Sequence, residues 1–191
     1  MMTGLFFGSF NPIHIGHMAI ANYMLEFGKL KEIWFVISPH NPFKEKKSLI
    51  SQYDRLEMIN LAIGDFQYFK PCDIEFHLPV PSYTIDTLTY LSDKFPKKEF
   101  VLIMGADVID TFDRWKNYEL IIKKYKRLIY PRPKVVIKKT ENLENAEIVN
   151  APIIEISSSF IRQAIKDNKN IPFFLPSKVY DYIIKLNLYK K

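Results

Sequence analysis

The stretch GSFNPIHIGH, from Gly8 to His17, decides the fold. It follows a short apolar run, residues 5–7, which predicts a buried strand, and it leads into the apolar-periodic residues 18–27, which predict a helix. A turn from a strand into a helix gathers free backbone N–H groups and the positive end of a helix dipole, and this combination favours anions. The opening of the chain therefore predicts a strand, an anion-binding turn and a helix.

The turn itself carries residues suited to phosphate. Gly8 and Gly16 allow a ligand to approach the backbone closely, and His14 and His17 add side-chain donors. A lone histidine is more often a structural residue, but a pair that flanks a glycine at such a turn favours a functional role. Zinc binding is the competing use, yet the remaining histidines and the one cysteine form no ligand motif with the pair. We therefore predict phosphate binding and no metal site in the protein itself.

Composition bounds the class of protein. The 191 residues, 48% of them apolar and 15% aromatic, suffice for one substantial core and predict a single domain over residues 1–191. A single cysteine excludes an internal disulfide, and neither a signal-peptide pattern nor a long apolar run is present, so we expect a cytoplasmic protein without a membrane partner. The net charge is +6, but the lysines are scattered, which predicts a solvated surface and no nucleic-acid partner.

Strand and helix patterns alternate along the chain. Strands are predicted over residues 3–7, 33–38, 69–75, 100–104 and 127–130, with a last one near 153–156. Helices are predicted over residues 15–27, 52–63, 84–94, 118–124, 158–166 and 177–186. This order predicts an α/β fold with a Rossmann-like, mainly parallel, doubly wound sheet and a C-terminal helical portion over about 157–191. Residues 134–151 are polar and predict an irregular excursion, and ligands are expected beyond the carboxyl ends of the strands.

A second informative segment is ISSSFIR, residues 156–162. Ser157 or Ser158 can cap the helix that follows, and the other hydroxyls and Arg162 can then converge on phosphate oxygens. Taken alone, the segment fits a capped surface helix with a solvated arginine better.

Two further segments open helices near the predicted sheet edge. PSYTIDTL, residues 81–88, begins a helix with Asp86 in its first turn. In GADVIDTFDRW, residues 105–115, Gly105 ends a buried strand and Asp107 follows at the expected ligand edge, where a carboxylate can accept ribose hydroxyls. A helix cap is the ordinary alternative for both segments.

Together these segments resemble the nucleotidyltransferase superfamily that carries an HxGH signature near its start and an ISSxxIR-type signature near its end. Within it, the chain is similar to the bacterial nicotinate-nucleotide adenylyltransferase family. The resemblance covers nearly the whole chain: GSFNPIHIGH, PHNPFK (39–44), PSYTIDTL, GADVIDTFDRW, the pair Arg132–Pro133, ISSSFIR and FLPSKVYDYI (174–183).

The resemblance implies an enzyme of NAD biosynthesis that transfers AMP from ATP to nicotinate mononucleotide and releases pyrophosphate. It implies catalytic roles for His14, His17 and Arg162. The implied ATP-binding residues are Gly8, Ser9, Phe10, Gly105, Asp107, Ser157 and Ser158. The implied mononucleotide-binding residues are Lys44, Tyr83, Thr84, Trp115 and Arg132. Magnesium would act with ATP, bound mainly to phosphate oxygens.

The chain departs from the family pattern at two positions. Phe7 replaces the usual first glycine, which predicts a narrower approach beside the phosphates. Asn11 replaces the usual acidic residue, which removes a negative charge next to an anion. The open alternatives are a phosphopantetheine adenylyltransferase, a piece related to class I tRNA synthetases, and a non-catalytic nucleotide-binding regulator on the same scaffold. The sequence also leaves a homo-oligomer open.

Overall fold

The computed structural model of the chain describes residues 2–39 and 49–190. A six-stranded, all-parallel sheet forms its centre, in the order β3-β2-β1-β4-β5-β6. The strands are β1 (Met2–Gly8), β2 (Glu32–Ile37), β3 (Phe69–Cys72), β4 (Glu99–Gly105), β5 (Lys126–Tyr130) and β6 (Ala146–Ile148). The predicted doubly wound parallel sheet is confirmed.

The first strand lies at the centre of the sheet. On one side β1 pairs with β2, with Gly8 opposite Ile37, and on the other it pairs with β4, with Phe6 opposite Ile103. The chain builds outward from β1 in one direction and then returns to add β4 on the other side. In parallel sheets a ligand crevice opens at this reversal, beyond the carboxyl ends of the two strands.

Helices cover both faces of the sheet. They are α1 (Ile15–Phe27), α2 (Gln52–Ile63), α3 (Thr84–Lys94), α4 (Tyr118–Lys124), α5 (Ser158–Lys166) and α6 (Ser177–Lys185). One core cluster joins α1, α2, α5 and α6 through Met24, Met58, Ile161 and Ile183, all fully buried. A second cluster on the opposite face joins α3, α4 and the 3-10 helix Ala106–Arg114. Within β1 the side chains alternate, so that Phe6 enters the first cluster and Leu5 the second.

The last strand differs from the prediction. Residues 153–156 form no strand, and Ile153 is exposed, so that prediction is wrong. The edge strand is β6, inside the stretch 134–151 that was expected to be irregular. The buried Arg127 guanidinium donates to the carbonyls of Asn142 and Glu144, which brings this segment beside β5. A predicted strand over 69–75 is also too long, because β3 ends at Cys72 and Ile74–His77 forms a 3-10 helix.

In the part of the chain that the structure describes, no helix combines the length and apolarity needed to cross a bilayer.

Candidate active site

A cleft with two lobes opens at the carboxyl ends of β1 and β4. The phosphate lobe, about 310 Å³, is lined by Asn11, His14, His17, Leu49, Ile156, Ser157, Ser158, Ser159 and Arg162. The aromatic lobe, about 270 Å³, is lined among others by Glu75, Ser82, Tyr83, Thr84, Gly105, Asp107, Trp115 and Lys116. Residues 6–9, Tyr130 and Arg132 line both lobes, so the two lobes are adjacent.

The loop between β1 and α1 forms the floor of the phosphate lobe. A side chain at Gly8 would put its Cβ 2.8 Å from the ring of Phe10, so this position accepts only glycine while that ring stays buried. Phe10 itself has φ 44°, a left-handed conformation that costs a bulky residue energy and persists where the surroundings enforce it. The loop is thus held in a strained shape beneath the cleft.

The two histidines lie at the start of α1. His14 is the N-cap residue of the helix, and its backbone N–H donates to Nδ1 of His17 over 3.3 Å. The rings stack with their centroids 3.7 Å apart. Because Nδ1 of His17 accepts this bond, a neutral His17 carries its proton on Nε2, which suits it to donate from there.

His14 is a neutral imidazole at physiological pH. His14 is 4% exposed. Burial, together with the charge of Arg132, lowers the pKa of His14 to about 4. Its Nδ1 is buried without a hydrogen-bond partner in the structure. An orphaned buried nitrogen at the wall of a cleft fits a residue whose partner is a ligand.

The ISSSFIR segment docks onto the early loop. The Ser158 hydroxyl donates to the Pro12 carbonyl over 2.9 Å, and Nη1 of Arg162 donates to the Asn11 carbonyl over 2.8 Å. Ser157 is the cap of α5, since its hydroxyl oxygen accepts from the backbone N–H of Phe160. Of the alternative of a capped surface helix with a solvated arginine, the cap is therefore present, but the arginine binds the early loop, and His17 and Arg162 line the same lobe.

A buried arginine that the sequence did not reveal supports the same loop. Arg55 on α2 is 1% exposed, and its Nη1 donates to the carbonyls of Ser9 and Ser38 over 2.8 and 2.7 Å. This side chain ties the ends of β1 and β2 together at the cleft. No local pattern marks it, because an arginine within a helix usually faces solvent.

The aromatic lobe is built at the start of α3. Tyr83 is the N-cap residue of this helix, and Thr84 begins it. The backbone N–H groups of Thr84 and of the following residue have no partner within the helix, as in the first turn of any helix. Trp115 packs against Phe112, with ring centroids 5.0 Å apart, and lines the same lobe as Tyr83 and Thr84.

Lys116 joins the two walls of the aromatic lobe. Its Nζ lies 4.7 Å from the centre of the Tyr83 ring and 2.9 Å from a carboxylate oxygen of Asp86. A cation therefore lies beside the start of α3, where the helix dipole is also positive. The sequence alone did not single out Lys116 as a site residue. Its position directly after Trp115, a predicted site residue, was the one feature that pointed to it.

Glu75 is a second missed residue of this lobe. It is 2% exposed and accepts hydrogen bonds from the hydroxyls of Ser82 and Thr87 over 2.8 and 2.9 Å. Burial raises the pKa of the Glu75 carboxyl above its ordinary value, and the two hydroxyl donors offset only part of this rise. Glu75 thus fastens the loop before α3 to the first turn of that helix.

Arg132 lies where the lobes meet. Its Nε donates to Oδ1 of Asp107 over 3.2 Å, and its guanidinium lies over the ring of Tyr130. A Cβ at Gly105 would lie 2.9 Å from Nε of Arg132 and closer still to Asp107, so the absence of a side chain there makes room for this pair. Gly105 and Asp107 line the aromatic lobe, not the phosphate lobe.

The structure brings most of the predicted site residues into this one cleft. Those described that line it are Gly8, Ser9, Phe10, His14, His17, Tyr83, Thr84, Gly105, Asp107, Trp115, Arg132, Ser157, Ser158 and Arg162. Lys44 lies outside the described residues. Phe7, expected to narrow the approach, lines both lobes.

The described residues were also compared with the ligand sets that hold metal ions. Over residues 2–39 and 49–190, no three His, Cys, Asp or Glu side chains group closely enough to hold a metal ion.

Comparison with known proteins agrees with this geometry. The profile of the cytidylyltransferase-like family matches residues 5–164. A Flavobacterium psychrophilum protein named "Probable nicotinate-nucleotide adenylyltransferase" is 50% identical over 100% of both chains. A Bacteroides fragilis protein of the same name is 49% identical over 96% of this chain and 91% of its own. A Plasmodium falciparum nicotinic acid mononucleotide adenylyltransferase complexed with NaAD superposes with TM-score 0.84 at 24% identity, covering 98% of this chain and 97% of that one.

These matches make the chain a nucleotidyltransferase whose phosphate lobe is lined by a histidine pair and a serine–arginine cluster. The chain belongs to the cytidylyltransferase-like family and, within it, to the nicotinate-nucleotide adenylyltransferases. The family predicted from the sequence is thereby confirmed.

Proposed function

We propose that the protein transfers AMP from ATP to nicotinate mononucleotide, producing deamido-NAD and pyrophosphate. The observation that carries this proposal is the pair of adjacent lobes, both of which Arg132 lines. Two polyanionic substrates need separate pockets whose phosphate ends meet, and a shared cation at the junction suits that meeting point. The name shared by the relatives supports the same reaction.

The triphosphate would lie in the phosphate lobe. Nε2 of His17, the start of α1 and the guanidinium of Arg162 would be its donors, since all of them belong to the lining of that lobe or to the helix that begins there. Neutral His14 can donate without a counter-charge, and its orphaned Nδ1 is compatible with a ligand or ordered water. The bond from Nη1 to the Asn11 carbonyl fixes the orientation of the planar Arg162 guanidinium. Its other N–H groups would then donate to phosphate oxygens.

The pyridine ring would lie in the aromatic lobe between Tyr83 and Trp115. Its carboxylate would bind at the start of α3, where backbone N–H groups and the helix dipole favour an anion, while Lys116 is already paired with Asp86. A neutral carboxamide would gain less from these groups. We therefore expect a preference for nicotinate over nicotinamide mononucleotide.

The chemistry requires alignment more than proton transfer. An oxygen of the mononucleotide phosphate forms a bond to the α-phosphorus of ATP, and the bond from that phosphorus to the bridging oxygen of pyrophosphate breaks. The attacking oxygen is already anionic near neutral pH, so no general base is needed. The residues of the cleft would hold the two phosphates in line and neutralise charge on the moving phosphoryl group.

Nucleotidyltransferases of this class use a divalent metal with ATP, and we propose Mg²⁺. The donor set of the cleft fits an ion carried in by the substrate, since histidine, arginine and hydroxyl groups surround the phosphate lobe. Mg²⁺ keeps several waters and binds phosphate oxygens readily, and it would add positive charge at the triphosphate.

The direct test supplies purified protein with ATP, Mg²⁺ and one acceptor at a time. Nicotinate mononucleotide should give deamido-NAD and pyrophosphate, with a clearly lower kcat/KM for nicotinamide mononucleotide. Faster turnover of 4′-phosphopantetheine would instead support a phosphopantetheine adenylyltransferase. ATP binding without any product would support a nucleotide-binding regulator. The cytoplasmic location and a homo-oligomer stay predictions, to be checked by cell fractionation and light scattering.

A further inference from the structure

The end of the chain returns to the phosphate loop. After α6 the backbone turns, with the N–H of Leu188 donating to the Ile183 carbonyl over 3.0 Å. Leu188 and Tyr189 then pack against the core cluster that contains α1 and α2. Tyr189 has φ 66°, a left-handed conformation that is unfavourable for a residue with a side chain. A bulky residue in this conformation needs a compensating contact.

The contact is made by the tyrosine hydroxyl. Tyr189 donates to Oδ1 of Asn11 over 2.9 Å, across 178 positions of sequence. The same oxygen also accepts a hydrogen bond from the backbone N–H of Ile50 over 3.5 Å. Two donors therefore point to this atom, as expected for the oxygen of the amide. Asn11 is 2% exposed, so this oxygen is buried and its hydrogen bonds have no ready replacement in water.

Asn11 connects this contact to the phosphate lobe. Its backbone carbonyl accepts from Nη1 of Arg162, and its side chain accepts from Tyr189. The charges of Arg162 and Arg55 lower the pKa of the Tyr189 hydroxyl, but by less than burial raises it. The hydroxyl is thus hydrogen-bonded to the same loop residue whose carbonyl Arg162 holds. Burial raises the pKa of Tyr189, so the hydroxyl keeps its proton and remains a donor.

We propose that Tyr189 is a positioning residue for ATP: through Asn11 it holds the phosphate loop and the Arg162 guanidinium in the arrangement that receives the triphosphate. This inference rests on the proposed function. It also gives a role to the side-chain amide of Asn11. The amide accepts the tyrosine hydroxyl without adding a negative charge beside the anion.

The test replaces Tyr189→Phe, which removes only the hydroxyl. Two matched controls remove hydroxyls of the same helix region: Tyr180→Phe, whose hydroxyl donates to Asn170, and Tyr182→Phe, whose hydroxyl donates to Asp54. The lost hydrogen bond corresponds to about a 3- to 10-fold weaker ATP Kd and a similar rise in KM for ATP. The KM for nicotinate mononucleotide should stay unchanged in all three variants, because the aromatic lobe is not touched.

A double-mutant cycle separates positioning from general stability. Combined with Asn11→Ala, Tyr189→Phe should weaken ATP binding no further. Asn11→Asp keeps an acceptor for the tyrosine hydroxyl but adds a negative charge beside the triphosphate, so in that background Tyr189→Phe should still weaken ATP binding. Equal ATP Kd values for Tyr189→Phe and the two controls would overturn the inference, as would additive losses in the cycle. ATP binding is measured by calorimetry without an acceptor. A wild-type protein that binds ATP but makes no dinucleotide therefore refutes the proposed function alone, and one that binds no ATP refutes both.

Discussion

Replacing His17→Ala tests the central group of the phosphate lobe. The change removes the Nε2 donor, the Nδ1 acceptor of the His14 backbone N–H, and a ring in contact with Phe6, Phe10 and His14. Loss of one donor that acts on the transition state lowers kcat by about 10²- to 10³-fold. We expect this loss in kcat with ATP, Mg²⁺ and nicotinate mononucleotide.

The same change has a separate and smaller cost in stability. The lost helix-start bond is worth about 1 kcal/mol and the ring contacts about another 1 kcal/mol. A domain of this size has an unfolding free energy of about 5–15 kcal/mol, so the variant stays folded and its kinetics report on the site. Urea unfolding should therefore show a loss of about 2 kcal/mol with the slope of the transition unchanged.

A matched control is available in His77→Ala. This histidine lies on the 3-10 helix Ile74–His77, its side chain is 68% exposed, and it approaches Asp73 at 3.7 Å. Its removal should leave kcat within about two-fold of wild type, the scale of a neutral surface change. The reasoning fails if His17→Ala retains a kcat within a few-fold of this control.

Three further predictions concern buried titratable groups. Because the pKa of folded His14 is about 4 and its ordinary value is 6.5, the unfolded chain takes up the proton first as pH falls. The unfolding free energy should therefore drop by up to about 3 kcal/mol between pH 6.5 and 4, and urea titrations of His14→Gln should show a shallower drop; equal slopes would contradict the burial argument. Glu75→Ala should raise the KM for nicotinate mononucleotide about 10-fold, because the hydrogen bonds from Ser82 and Thr87 are lost. This rise corresponds to a loss of about 1.4 kcal/mol in binding free energy. The KM for ATP should not move, and a rise in it would argue against a role confined to the aromatic lobe. Burial raises the pKa of Glu32, but hydrogen bonds from two lysines and a threonine outweigh it and lower the pKa to about 2. Glu32→Gln should thus cost about 3 kcal/mol at pH 7, a difference that disappears as acid protonates the wild-type carboxyl between pH 4.5 and 2; a pH-independent difference would be the contrary result.

Local patterns sufficed where the information is local. The strand-to-helix turn at Gly8–His17 and the boundaries of α1, α2, α3, α4 and α5 follow from apolar periodicity and capping residues within a few positions of one another. The buried runs of β2 and β4 indicate strands covered on both faces, from which the parallel sheet and its cleft follow. The sequence did not predict β6. This edge strand lies in a polar segment, and the buried guanidinium of Arg127 holds that segment beside β5 by donating to the carbonyls of Asn142 and Glu144.

The sequence by itself determined the layered α/β fold, the edge of the sheet that carries the cleft, and most of the residues that line it. Only the tertiary structure decided that Arg162 grips the Asn11 carbonyl, that Arg132 lines both lobes, and that Tyr189 supports the loop from the far end of the chain. The physical reason is distance along the chain: periodicity and capping act over about four residues in a helix, whereas the Arg162 and Tyr189 contacts span 151 and 178 positions. Such partners become visible only when the folded backbone brings them together.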